Sequence, residues 1–110
     1  MDNYNCFGLV AFICGWFQDL RFVSDIEMKT LLDKNSYPID SSKIERGDIA
    51  IYYMFGEIYH TAIVTNVEKE ELVHKPASKA LEFQNFRGTL GKYDYGEIGQ
   101  FRRNKPNLTT

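Results

Sequence analysis

The chain has 110 residues, 44% of them hydrophobic and 15% aromatic, with a formal net charge of −2. That length implies one domain with enough core to fold without staples, and eight Phe with seven Tyr exclude a disordered tail. Lys and Arg do not cluster apart from Arg102-Arg103, so a nucleic-acid partner, which needs a basic face, is not expected. No apolar run approaches the ~18 residues of a membrane span. The polar start, Met1 to Asn5, does not read as a secretory signal, which leaves the compartment open.

In chain order, Asn5 can cap a helix running from Cys6 to Leu20. Leu9, Val10, Ile13, Trp16, Phe17 and Leu20 recur at spacings of three and four and give it a broad apolar face. Cys6 and Cys14 then lie about 12 Å apart along the axis. Disulfide Cα atoms must lie within about 7 Å, so the two are expected to be free thiols. Ser24-Asp25-Ile26-Glu27 is a capping box that starts a second helix, with Met28, Leu31 and Leu32 facing inward and Lys34-Asn35 at its end. An extended loop is expected from Tyr37-Pro38.

The second half reads as strands. A turn at Glu45-Arg46-Gly47-Asp48 leads into residues 49–53, Phe55-Gly56-Glu57 turns the chain into 58–67, and Glu68-Lys69-Glu70 turns it into 71–75, which Pro76 stops. Strands are expected again over 80–86 and 98–103, with Gly88, Gly91, Gly96 and Gly99 punctuating the loop between them. The expected fold class is α+β, N-terminal helices packed on an antiparallel meander of about five strands. The domain covers residues 1–104 and the last six form a flexible tail.

Cysteine chemistry depends on the thiolate, and a helix N-terminus or a nearby imidazolium favours it. Cys6 sits at a helix start whose unpaired N–H groups would also face an oxyanion formed beside it. The chain has two histidines, His60 and His74. If the hairpin between them turns about Val67, His60 faces His74, Ala62 faces Leu72 and Val64 faces Glu70. Directly opposed side chains have Cβ atoms about 4.5–5.5 Å apart, so the imidazoles would touch. His60 would then serve as base for Cys6, and His74 would fix its tautomer. Cys14 reads as structural, and Asp48 as a turn residue. Tyr52, Tyr53, Tyr93 and Tyr95 are candidates to line a groove. The two His and two Cys do not form a tetrahedral metal set, and the glycines at 88–99 lack the context of a phosphate loop; no cofactor or metal is expected.

The motifs in this order resemble a known family. Asn5-Cys6-Phe7-Gly8-Leu9-Val10 is similar to the (Asp/Asn)-Cys-Ser-Gly-Leu-Val segment of NlpC-type cysteine peptidases. Arg46-Gly47-Asp48-Ile49-Ala50-Ile51-Tyr52 resembles their Pro-Gly-Asp-Leu-Val-Phe-Phe lead-in to a strand. His60-Thr61-Ala62-Ile63-Val64 resembles their His-Val-Gly-Ile-Tyr strand, Leu72-Val73-His74-Lys75 the next one, and Gly99-Gln100-Phe101-Arg102-Arg103 the last. The likeness spans residues 5 to 103. Phe7 stands in place of Ser and Ala62 in place of Gly.

The resemblance implies a papain-like fold and hydrolysis of amide bonds, typically in peptidoglycan stem or cross-link peptides. Cys6 would be nucleophile, His60 base and His74 orienter. Tyr4, just before Cys6, and Tyr53 are candidates to line the substrate site, apart from the resemblance. Family members usually carry helical sequence upstream of the nucleophile, where this chain has five residues. A protein partner or a second copy covering that side is therefore an expectation too. Two other readings keep the same residues, a deamidase or acyltransferase of this fold and a catalytically silent binding or structural module.

Overall fold

The computed structural model describes residues 4–76, 81–85 and 97–106. Its elements are helices α1 (Cys6–Ile13) and α2 (Asp25–Asn35) and strands β1 (Ser36–Ile39), β2 (Ile49–Met54), β3 (Glu57–Asn66), β4 (Glu71–His74), β5 (Glu82–Asn85) and β6 (Glu97–Asn104), with a 3-10 turn at Ser41–Lys43. The strands form one antiparallel sheet in the order β1-β6-β2-β3-β4-β5. This is an α+β architecture, with six strands rather than about five. It runs as a meander from β2 to β5. The last strand returns beside β2 and pairs on its other side with β1.

Helix α1 is shorter than its apolar pattern suggests. Gly15 takes φ +79°, its N–H donates to Phe12 O at 3.0 Å, and the Trp16 N–H donates to Ala11 O at 2.9 Å. These are the two bonds of a Schellman stop, which needs a left-handed residue just past the helix. The expected helix to Leu20 therefore ends at Ile13. Trp16 and Phe17 still pack on the core, from irregular backbone. Helix α2 forms as its capping box predicts: Ser24 Oγ accepts from the Glu27 N–H at 3.1 Å, and Met28 and Leu32 are buried.

The expected loop at Tyr37-Pro38 is instead strand β1, at the edge of the sheet. Pro cannot donate to a ladder and is tolerated there. Gly99, counted both in the expected 98–103 strand and among the loop glycines, lies within β6, where a Cβ would come 2.6 Å from Tyr53 Cδ2. Lys105, assigned to the tail, donates its backbone N–H to Asn35 O at 2.8 Å. Gly88, Gly91, Gly96, Tyr93, Tyr95 and the end of the tail lie outside the described residues.

Both faces of the central strands are covered, which is why Ile49, Ala50, Ile51 and Tyr52 are all buried. On one face Ile49, Ile51, Ile63 and Val73 meet Cys6, Phe7 and Val10 of α1 and Met28 and Leu32 of α2. The other face holds Ala50, Tyr52, Ala62, Val64, Leu72 and Phe101 with Ile44. Asp48 is buried at the lead-in to β2. Its carboxylate accepts the Glu45 N–H at 2.7 Å and takes Arg103 Nε at 2.9 Å and Nη2 at 3.0 Å. Its place is therefore in the turn and its tie to β6. Among the described residues, no helix is long and apolar enough to cross a membrane.

Candidate active site

The start of α1 is fixed by Asn5. Its Oδ1 accepts the Gly8 N–H and the Val23 N–H, both at 3.0 Å, while its Nδ2 donates to Val23 O at 2.7 Å. One side chain thus caps the helix and pins the segment before α2 against its first turn. The packing is close enough that a Cβ on Gly8 would fall 1.7 Å from Arg21 O. The Asn-Cys-Phe-Gly run therefore has a mechanical basis: the cap holds the segment, and the missing side chain admits it.

With α1 so placed, Cys6 meets β3 at Thr61, whose hydroxyl donates to Cys6 O at 3.2 Å. The Cys6 sulfur is approached by the backbone N–H groups of Thr61, Phe7 and Cys6 itself and by the Thr61 hydroxyl. These donors favour the thiolate. Burial outweighs them and holds the thiol above its ordinary value. The helix start favours the thiolate as expected, but the net direction is toward the thiol. Cys14 is pushed up to about 12, also by burial. Both cysteines are free.

The two histidines come together. His60 Nε2 lies 2.8 Å from His74 Nδ1, with the rings edge to face at 5.0 Å between centroids. They do so in a different register from the expected one. Ile63 faces Val73 and Val64 faces Leu72, two residues away from the expected pairing. The cause is the turn, which spans Val67–Glu70 with Glu70 at φ +53° and a bulge between Val64 and Asn66. Because side chains alternate along a strand, a shift of two keeps both imidazoles on one face. They meet diagonally instead of directly, within reach of long side chains.

Cys6 and His60 approach the same point of β3 from different sides. Thr61 faces Ile51 of β2 and His60 faces Tyr52, so alternation turns Thr61 toward the helices and His60 toward the other face. The registered pairs of β4 with β3 are Ile63↔Val73, Val64↔Leu72 and Asn66↔Glu71. The stretch at His60 and Thr61 therefore lies beyond that ladder, and there the first turn of α1 docks on β3. The donors to the Cys6 sulfur are Thr61 and the helix start; His60 is not among them.

Burial makes both imidazoles hard to protonate. His60 is 3% exposed and His74 1%. His60 is lowered to about 3, first by burial and then by the neighbouring His74. His74 is lowered by burial, against the pull of Glu82. The unfolded chain binds these protons near pH 6.5, whereas the folded His60 refuses its own until near pH 3. Stability is therefore expected to fall as pH drops below about 6.5. His60 alone should cost about 2 kcal/mol at pH 5 relative to pH 7. Urea denaturation at the two pH values measures this, and the fall should be smaller in His60→Gln.

Of the aromatic candidates, Tyr4 is half-buried, two residues before Cys6, and carries Lys75 Nζ 5.4 Å from its ring centroid. Tyr53 lines a cavity of about 110 Å³ between α2 and the sheet, with Leu32, Ile51, Ile58 and Arg102. Tyr52 is the tyrosine that touches the histidine pair, its ring 5.4 Å from that of His60 at 65°. Thr61 and Glu82 also belong to the site and were not singled out from sequence. Thr61 adjoins His60 in the chain, and Glu82 would follow from carrying the hairpin register one strand further, where His74 faces Glu82.

No protein-family model matches the chain, and neither curated proteins nor solved structures yield a significant match.

Proposed function

We propose that this protein is a thiol hydrolase of amide bonds with a papain-like arrangement, in which Cys6 is the nucleophile, His60 the base and His74 the residue that orients the base. The observation that carries the reading is the buried His60 Nε2–His74 Nδ1 contact of 2.8 Å, located where the N-terminus of α1 brings Cys6 to β3. A buried imidazole pair is costly to keep, and a base with an orienter is what nucleophilic catalysis requires.

At rest Cys6 is a neutral thiol and His60 a neutral imidazole. On attack, the Cys6 proton passes to His60, whose Nδ1 serves as base because Nε2 is engaged with His74. The sulfur bonds to the carbonyl carbon, and the Phe7 and Thr61 N–H groups face the forming oxyanion. His60 then gives its proton to the departing amine as the C–N bond breaks. Water attacks the thioester, passing one proton back through His60 to the sulfur, and leaves a carboxylic acid and free Cys6. The substrate class proposed is a peptidoglycan stem or cross-link peptide, on the likeness of the Cys, Gly-Asp and His segments to NlpC-type peptidases. Incubation with purified cell-wall peptides and mass spectrometry of the products tests it. A pair of fragments gaining one water supports hydrolysis; an acyl adduct on an added amine points to an acyltransferase, and a one-dalton gain on a protein glutamine to a deamidase.

One observation favours a second reading, a catalytically silent module of the same fold: the burial that keeps Cys6 a thiol. Such a module would show no dependence of Cys6 reactivity on His60.

A further inference from the structure

Glu82 stands directly across from His74 in the β4–β5 ladder. Its Oε2 lies 3.7 Å from His74 Nε2, and the Glu82 side chain is 40% exposed while that of His74 is 1% exposed. A carboxylate at the water boundary thus faces the outer nitrogen of a buried imidazole whose inner nitrogen faces a second imidazole. This ordering has a chemical consequence. A neutral imidazole carries one N–H, and which nitrogen holds it is set by its partners. At 3.7 Å the carboxylate is too far for a hydrogen bond, but its negative charge favours the proton on the nearer nitrogen, His74 Nε2, which leaves His74 Nδ1 as an acceptor. The 2.8 Å contact can then be made only if His60 Nε2 donates. His60 Nδ1 is left with the lone pair, the form a base needs.

We infer that Glu82 is a positioning residue that sets the tautomers of both histidines, so that a surface carboxylate on β5 determines which nitrogen of His60 acts as base. The inference rests on the proposed role of His60, but the tautomers it specifies can be read without any turnover. Among the described residues, the charged and titratable groups placed against His74 include His60 from β3, Glu82 from β5 and Lys75 next in the chain, whose ammonium lies toward the Tyr4 ring. Glu82 is the anion among them. Its attraction also opposes the burial that makes His74 hard to protonate, as in the carboxylate–imidazole pairs that stabilise an imidazolium when one forms.

The test is long-range ¹H–¹⁵N correlation of the histidine rings at pH 7 in the wild-type protein, Glu82→Gln and Glu82→Ala. The wild type should show Nε2–H on both rings. Glu82→Gln keeps an acceptor oxygen without the charge, so it should hold this state partly. Glu82→Ala should shift His74 toward Nδ1–H and perturb His60 with it. Iodoacetamide labelling of Cys6 in Glu82→Ala should slow about ten-fold at pH 7, a part of the ~10²- to 10⁴-fold that a positioned base supplies. Ring spectra that are the same in all three proteins would overturn the inference. So would a wild-type His74 protonated on Nδ1. Failure of the parent reading gives a different signature: Cys6 labelling indifferent to His60→Gln, with the ring tautomers still answering for Glu82.

Discussion

Replacing His60 by glutamine should lower hydrolysis of a cell-wall stem peptide by about 10²- to 10⁴-fold, the usual contribution of a positioned general base. The loss should appear in kcat, with KM little changed, because the residue acts on the proton in the transition state and not on binding. Glutamine is the informative substitution. It is close to histidine in size and can still hydrogen-bond His74 Nδ1, which an alanine would leave facing a cavity in the fully buried pair. It cannot take the thiol proton. The resting protonation states make the dependence steep. Burial holds Cys6 as a thiol and His60 as a neutral imidazole, so reaction needs a proton transfer that only a base can accept. A site with a preformed thiolate would retain more of its reactivity without the imidazole.

The largest effect on stability is expected at Gly8. Alanine is favoured over glycine inside a helix by about 1 kcal/mol, and on propensity alone Gly8→Ala would stabilise α1. The space decides otherwise. The added Cβ would lie 1.7 Å from Arg21 O, a backbone atom held in place by the Asn5–Val23 bonds. Either the helix start or the segment at 21–23 must move by more than an ångström, and both Asn5 bonds to Val23 are then lost. A net destabilisation of about 3 kcal/mol or more is expected, beyond the usual range of overpacking, with a fall in Tm of roughly 10–15 °C. Thermal unfolding followed by circular dichroism measures it. Gly15 provides the contrast. It has φ +79° and nothing within 4 Å of a built Cβ, so Gly15→Ala should cost only about 1 kcal/mol, through backbone conformation alone.

The same two glycines mark what could be read from sequence. The apolar spacing from Leu9 to Leu20 is helical throughout, yet the backbone stops at Gly15. Trp16 and Phe17 reach the core because they are large, not because they are helical. The caps at Asn5 and Ser24 were legible because their hydrogen bonds are local. So was the pairing of the histidines, since parity along a strand survives a shift of two residues even though the turn at Val67–Glu70 moved the register. Strand β1 was hidden by Pro38, and the return of β6 beside β2 has no local signal at all. The contacts of Tyr52 and Glu82 with the histidines depend on ladders that a single segment cannot specify. The protonation of Cys6 turned on the balance between four hydrogen-bond donors and burial, and burial exists only in the folded chain.

The central claim is that Cys6 reacts with the help of His60. Its most direct measurement is the rate of iodoacetamide labelling of Cys6 between pH 6 and 9, followed by peptide mass mapping, with Cys14 as an internal control. The account predicts that Cys6 labels faster than Cys14, whose proton is held up to about 12, and that His60→Gln slows Cys6 at least about ten-fold at pH 7 while leaving Cys14 unchanged. Equal labelling of the two cysteines, or a Cys6 rate that does not respond to His60→Gln, would contradict it.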